Sequence, residues 1–294
     1  MTKLSLLSLL LLSLSFTQAP SLNSVVLRDY YILVHKAEWY VYQGDTLSAL
    51  ENYQKAFEIK LPFLIDLNNA RSLLQGGEFS DDKTIALISE DWRNIDAIFY
   101  RNKSRLDVSN FQLTSNYLWQ KSIDIATYNS RYAYHEALKT IIDEDQFLRQ
   151  SKISGNRDSV LALHGIEHFK KFQELVSMYG WPSPEKDGEF NTLIYPVLLH
   201  GTYYCGLDGN FKDLMFQAVM CGELNSHFYA KVCDRFCDWN LSIPQDYGEW
   251  QTTTDGSIRI REVQNLDLRR DSIFLEPYKQ YCLKNKLPIP EGYE

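Results

Sequence analysis

The chain has 294 residues, 45% hydrophobic and 23% charged, enough apolar material for one large domain or two ordinary ones. Its formal charge of -8 argues against nucleic-acid binding through a general basic surface. It carries no P-loop, dinucleotide fingerprint, nucleophile elbow or Asp-rich metal loop, so no cofactor is expected.

Residues 1–19 have the pattern of an export signal. Lys3 precedes a Leu/Ser run over residues 4–14, long enough for a signal core and too short to span a bilayer. Thr17 and Ala19 are small residues at the cleavage position. The expected location is periplasmic or extracellular, with no stable membrane span once the signal is removed. All five cysteines, Cys205, Cys221, Cys233, Cys237 and Cys282, lie in the final third, and the odd number leaves at least one unpaired. The expectation is buried thiols with one or two bridges.

Residues 25–100 have a helical pattern. One helix is expected over residues 29–43 and a second up to Ile59, where Pro62 stops it. Gly44-Asp45 makes the turn, with Asp45 or Thr46 as N-cap. Ala37, Ala49 and Ala56 allow the two helices to approach closely, and Tyr40 and Tyr53 fill the gaps. This pair resembles a single tetratricopeptide repeat, and residues 66–92 continue it in degenerate form. One such unit cannot bury its own face, so further helices must stack on it.

Residues 101–116 are polar and form a connection, and residues 117–288 form a second helical domain. Helices are expected from Tyr117 to Gln150, over 158–178, 211–221, 224–239 and 275–284. Tyr179-Gly180-Trp181-Pro182 is a stop signal, and Pro196 interrupts the apolar run 189–205. Asp255-Gly256 between β-prone runs is a two-residue hairpin signal. The expected fold is mainly α, with a helical-repeat-like N-terminal half and a helical C-terminal domain bearing one small β-hairpin at about 249–262.

Two patterns carry metal-ligand residue types. His164, Glu167 and His168 make an H-x-x-E-H string whose histidines, four apart on a helix, can face one ion with Glu167 as base. Gly165 weakens that helix and the large α/β scaffold of such peptidases is missing, so metal-dependent hydrolysis is the lesser reading. His227 with Cys233 and Cys237 matches no standard zinc spacing. No metal is therefore expected.

Over about residues 143–285 the chain resembles an uncharacterised family of bacterial exported proteins, a domain of unknown function. The landmarks are Asp145-Gln146 with Arg149, Tyr179-Gly180-Trp181-Pro182, His200, Asp234-Arg235, Gln245 with Tyr247-Gly248, and Asp267 with Arg269-Arg270. Leu199 stands where the family usually has Gln, and Glu249-Trp250 where it usually has Thr-Gln. If those amides hold a ligand, binding by this chain is altered. The resemblance implies binding positions at Gln146, Arg149, Arg235, Gln245, Tyr247, Arg269 and Arg270, but no reaction.

Two functions follow. The first is a binding or scaffold module that takes a protein or peptide through its helical-repeat region. Its polar cluster is then structural, with Arg235, Arg269 and Arg270 paired to Asp234, Asp246 and Asp267. The second is a hydrolase. His200 is the acid/base, Asp234 orients it or acts itself, and the arginines hold an anionic substrate. Both expect these residues to converge on one cluster.

Overall fold

The computed structural model describes residues 24–76, 130–151, 157–188, 190–250 and 258–293. The export signal, the connection 101–116 and the Asp255-Gly256 turn lie outside the described residues. The described residues are mainly helical. Among them no helix is long and apolar enough to cross a membrane.

Helix α1 (Ser24–Gln43) and α2 (Thr46–Ile59) form the expected antiparallel pair. Gly44 takes φ +80°, which favours glycine, and the Asp45 side chain accepts the Ser48 amide at 3.0 Å as N-cap. Ala37, Ala49, Ala56 and Tyr53 are fully buried between the helices. Helix α3 (Leu64–Gly76) packs next on α2.

The second half begins with α4 (Tyr132–Gln150) and α5 (Arg157–Tyr179). Two short helical turns, Pro184–Asp187 and Phe190–Leu193, lead into α6 (Tyr195–Cys205). Pro196 starts α6 rather than interrupting a longer helix, because its missing N–H falls in the first turn, where no intrahelical partner exists. Helix α6 crosses α5 closely: a Cβ on Gly201 would sit 2.4 Å from Phe169 Cβ and Cγ. Gly165 faces the Tyr204 ring in the same way, which accounts for a glycine inside α5.

Helices α7 (Gly209–Met220) and α8 (Ser226–Arg235) follow, and α8 widens into a π turn over Phe236–Asn240. After a loop come α9 (Leu266–Asp271) and α10 (Tyr278–Asn285).

Among the described residues the β-hairpin expected at about 249–262 is not seen. An Asp255-Gly256 turn would set Trp250 opposite Arg261 and use the Arg259 carbonyl and Arg261 amide for its ladder. Gln245 occupies that position instead. Its amide donates to the Arg259 carbonyl at 2.8 Å, and its carbonyl accepts the Arg261 amide at 2.9 Å, giving one isolated parallel bridge to Ile260. Its side chain also holds Trp250, accepting that amide at 3.3 Å and donating to that carbonyl at 2.6 Å. Gln245 thus stands between the two flanks that would have paired.

One continuous apolar core includes Tyr30, Tyr31 and Tyr53 from the first helices, Phe172 and Met215 from the middle, and Phe274 near the end. Tyr31 shows how the ends meet. Its ring stacks on Phe274 with centroids 5.6 Å apart, and its hydroxyl accepts the Ser226 amide at 3.1 Å.

Candidate functional site

The residues singled out by sequence do not converge on one cluster; they divide among separate centres. Asp234, on α8, is fully buried. Its Oδ1 accepts the amides of Asp246 (2.8 Å) and Tyr247 (2.9 Å), and its Oδ2 accepts the Glu249 amide (2.7 Å). The side chain works as a clamp for the loop 246–249, replacing the backbone partners that irregular chain lacks. Burial pushes the Asp234 carboxyl up to about 7, against the three amides that pull it down. Asp234 does not reach His200 to orient it, because both its oxygens are taken by the loop.

Among the described residues Arg235, Arg269 and Arg270 make none of the expected ion pairs with Asp234, Asp246 and Asp267. Arg270 is fully buried. It donates to the carbonyls of Glu276 (2.7 Å) and Tyr247 (2.6 Å) and pairs with Glu249 at 2.9 Å. Arg269 donates to the Asp246 carbonyl at 2.8 Å and to the carbonyl of Arg261, not to the Asp246 carboxylate. Asp267 accepts the Tyr278 amide (2.8 Å) and the Tyr293 hydroxyl (2.6 Å), so it meets neither arginine. Tyr247 is buried against Tyr229. Gly248 takes φ +74°, and a Cβ there would lie 2.5 Å from the Tyr278 ring. The Gln245, Tyr247-Gly248 and Arg269-Arg270 landmarks therefore build one loop-and-helix joint.

His200 belongs to a second centre. Its Nδ1 lies 2.9 Å from Asp145 Oδ2, across the α4–α6 interface. Arg149 Nε donates to the same carboxylate at 3.2 Å, and Gln146 Nε2 donates at 3.1 Å. Burial raises the Asp145 carboxyl, but His200 and Arg149 outweigh it and hold it below its ordinary range. Arg235 reaches the neighbouring Leu199 carbonyl and lies over the Tyr203, Trp239 and Trp250 rings, with 4.7 Å to the Trp239 centroid. Arg235 Nε makes no hydrogen bond among the described residues. Asp145, which sequence reasoning had not cast in a catalytic role, is the group that orients His200.

The H-x-x-E-H string does not assemble a metal set. His168 Nε2 turns to Glu144 of α4 at 3.1 Å, while Glu167 pairs with Lys171 at 3.0 Å on the solvent side. All five cysteines are free thiols, so the expected bridges are not formed. Cys233 and Cys237 are both buried, and burial pushes the Cys233 thiol up to about 12.

Two centres escaped the sequence reading. Asp187, fully buried, accepts from Arg131 Nε (2.6 Å), His135 Nε2 (2.9 Å) and the Ser183 amide (2.9 Å). With Arg131 also donating to the Tyr179 carbonyl at 2.6 Å, it pins the Tyr179–Pro182 landmark to α4. The other centre joins His35 and Glu38 of α1 to His227 of α8 and to Glu276. His35 Nδ1 lies 3.4 Å from Glu276 Oε2 and 3.5 Å from Glu38 Oε2, and His227 Nε2 lies 3.6 Å from Glu276 Oε2. Burial pulls the His227 imidazole down, but Glu249 and Glu276 outweigh it and hold it above its usual range. Lys284 bridges Glu38 and Glu276, the latter at 2.8 Å. The available signal was His35-x-x-Glu38, two ligand-type residues one turn apart on a predicted helix.

Comparison of the chain with protein-family models, with curated proteins and with solved structures finds no match.

Proposed function

We propose that the chain is an exported helical module that binds a protein or peptide partner, and that it belongs with the uncharacterised exported family its second half resembles. The observation that carries the reading is the fate of Asp234. A fully buried carboxylate that takes three backbone amides on its two oxygens is closed off from any ligand in solvent. Arg270 is equally enclosed. These residues support the geometry of a scaffold.

A surface suited to a partner lies on α1. Val25 and Ile32, seven residues apart and therefore on one face, are 59% and 44% exposed, and Tyr42 at the far end of the helix is 46% exposed. The packing of α1 on α2 leaves these side chains exposed. Ile32→Glu, a surface change, should abolish co-purification of a partner from native extracts without altering the unfolding transition. Equal recovery by both proteins defeats this assignment.

One observation favours hydrolysis as the second reading. His200 is oriented through Nδ1 by Asp145, the arrangement of a general base, with Arg149 and Arg235 nearby for an anion. A screen of chromogenic esters, phosphoesters and glycosides, repeated with His200→Ala, separates the readings. Turnover lost in the variant replaces the module reading with the enzyme reading.

A further inference from the structure

We propose that His35, Glu38, His227 and Glu276 form a binding site for one divalent transition-metal ion, with zinc the best fit. The inference is independent of partner binding. It starts from where the lone pairs point. His35 Nε2 lies 2.9 Å from the Phe274 carbonyl, which can only accept, so Nε2 carries the proton and Nδ1 is left as the donor. His227 Nδ1 lies 3.1 Å from Glu249 Oε2, an acceptor, so its Nε2 is left as the donor. Each imidazole therefore has the outer hydrogen bond that fixes a metal-ligating histidine, one to a backbone carbonyl and one to a carboxylate.

The donor atoms face one another. The four of them lie within 4.8 Å of one another. Zinc–ligand bonds of about 2.0–2.2 Å set tetrahedral edges of about 3.3–3.6 Å. Three of the six edges, 3.4, 3.5 and 3.6 Å, match that figure, and the other three lie within 4.8 Å. Glu276 is 2% exposed; Lys284 meets its Oε1 at 2.8 Å, while Oε2, the atom nearest both imidazoles, accepts no hydrogen bond among the described residues. Lone pairs aimed at one point in a buried space repel unless positive charge sits among them. Lys284 supplies part of that charge, contacting Glu38 and Glu276 from the α10 side. The carboxylates of Glu38, Glu249 and Glu276 still exceed the permanent cations Arg270 and Lys284 by one charge.

The site also has a way in. A cavity of about 260 Å³ between α1 and the 271–280 segment is lined by both His35 and Glu276. Two imidazoles and two carboxylates suit a borderline cation, and four protein ligands describe a closed, structural site. Its ligands come from α1, α8 and the 272–277 loop, so the ion would staple the first helix to the last third of the chain.

The test begins with the unaltered protein, stripped by chelator and titrated with Zn²⁺ and Co²⁺. The expected result is one equivalent bound, a Co²⁺ spectrum of tetrahedral nitrogen/oxygen ligation, and a transition midpoint that rises by several degrees with metal. Glu249→Gln, which weakens the outer hydrogen bond to His227 and also removes the charge paired with Arg270, should weaken binding about 10- to 100-fold in a protein still folded by circular dichroism. His35→Gln with His227→Gln should remove it. No bound metal, or a thiolate charge-transfer band marking cysteine ligation, overturns the proposal and leaves a proton as the ion among these groups. Unchanged affinity in the double histidine variant overturns it equally.

Discussion

Asp234→Ala is the sharpest probe of the loop 246–249. The change removes the acceptor of three amides held at 2.7–2.9 Å. Tyr247 and Glu249 are buried, so water cannot replace the lost acceptor there, while the Asp246 amide can be partly rehydrated. Each buried donor left unsatisfied costs about 1–3 kcal/mol. Two such donors and one partly rehydrated donor make the expected loss about 3–5 kcal/mol. With a urea slope of about 3 kcal/mol/M, the midpoint should fall by about 1–1.7 M. Asp234→Asn adds a second reading of the same group. Because burial raises the folded carboxyl to about 7, the folded state holds a proton that the unfolded chain releases between about pH 4 and 7. The Asp234 contribution to stability therefore falls as pH rises through that window and is flat above it. The gap between wild type and Asp234→Asn should narrow from pH 5 to pH 8. A midpoint within about 0.3 M of wild type for the alanine variant, or a gap independent of pH, refutes the clamp.

Three further outcomes are expected. Gly201→Ala places a Cβ 2.4 Å from Phe169 and must part α5 from α6, lowering stability by about 1–3 kcal/mol or more in denaturant unfolding, whereas Gly165→Ala meets only the movable edge of the Tyr204 ring and should do less. Gln245→Leu strips both bonds to Trp250 and should cost about 1–3 kcal/mol, with a red shift in tryptophan emission, because Trp250 packs edge-on against Trp239. Asp145→Asn should destabilise most at neutral pH, since a carboxyl held below its ordinary range contributes above about pH 4 and loses that contribution as pH falls, so the gap from wild type should close in acid unfolding curves.

The helices were legible because local signals decide them. The Gly44-Asp45 turn, the alanines between α1 and α2, and the Gly180 stop are short-range features that tertiary packing did not override. The hairpin failed for the opposite reason. Asp255-Gly256 is a good turn signal, but Gln245, ten residues away, pairs with the backbone groups at Arg259 and Arg261 that its ladder would use. No window around the turn contains that competitor. The site residues follow the same division. Asp145 and His200 were each noted, yet their pairing spans 55 residues and depends on how α4 meets α6. His35 and Glu276 are 241 positions apart, and only the shared core sets them 3.4 Å from each other.

The two aspartates show where chemistry remains open. Asp234 and Asp145 are both buried, and both were placed in one cluster by their sequence landmarks. Asp234 bonds to backbone amides, which are fixed by the loop they define, and burial wins over them to raise its carboxyl. Asp145 bonds to the side chains of His200, Gln146 and Arg149, and His200 and Arg149 outweigh burial and hold its carboxyl below the ordinary range. A carboxylate behind a histidine fixes the tautomer and orientation of its imidazole. The His200 side chain remains 21% exposed, so it can still meet solvent or a ligand. If this chain turns over any substrate, loss of activity should follow His200→Ala and, through the same bond, Asp145→Ala, while Asp234→Asn should change stability and leave the pH profile of turnover where it was.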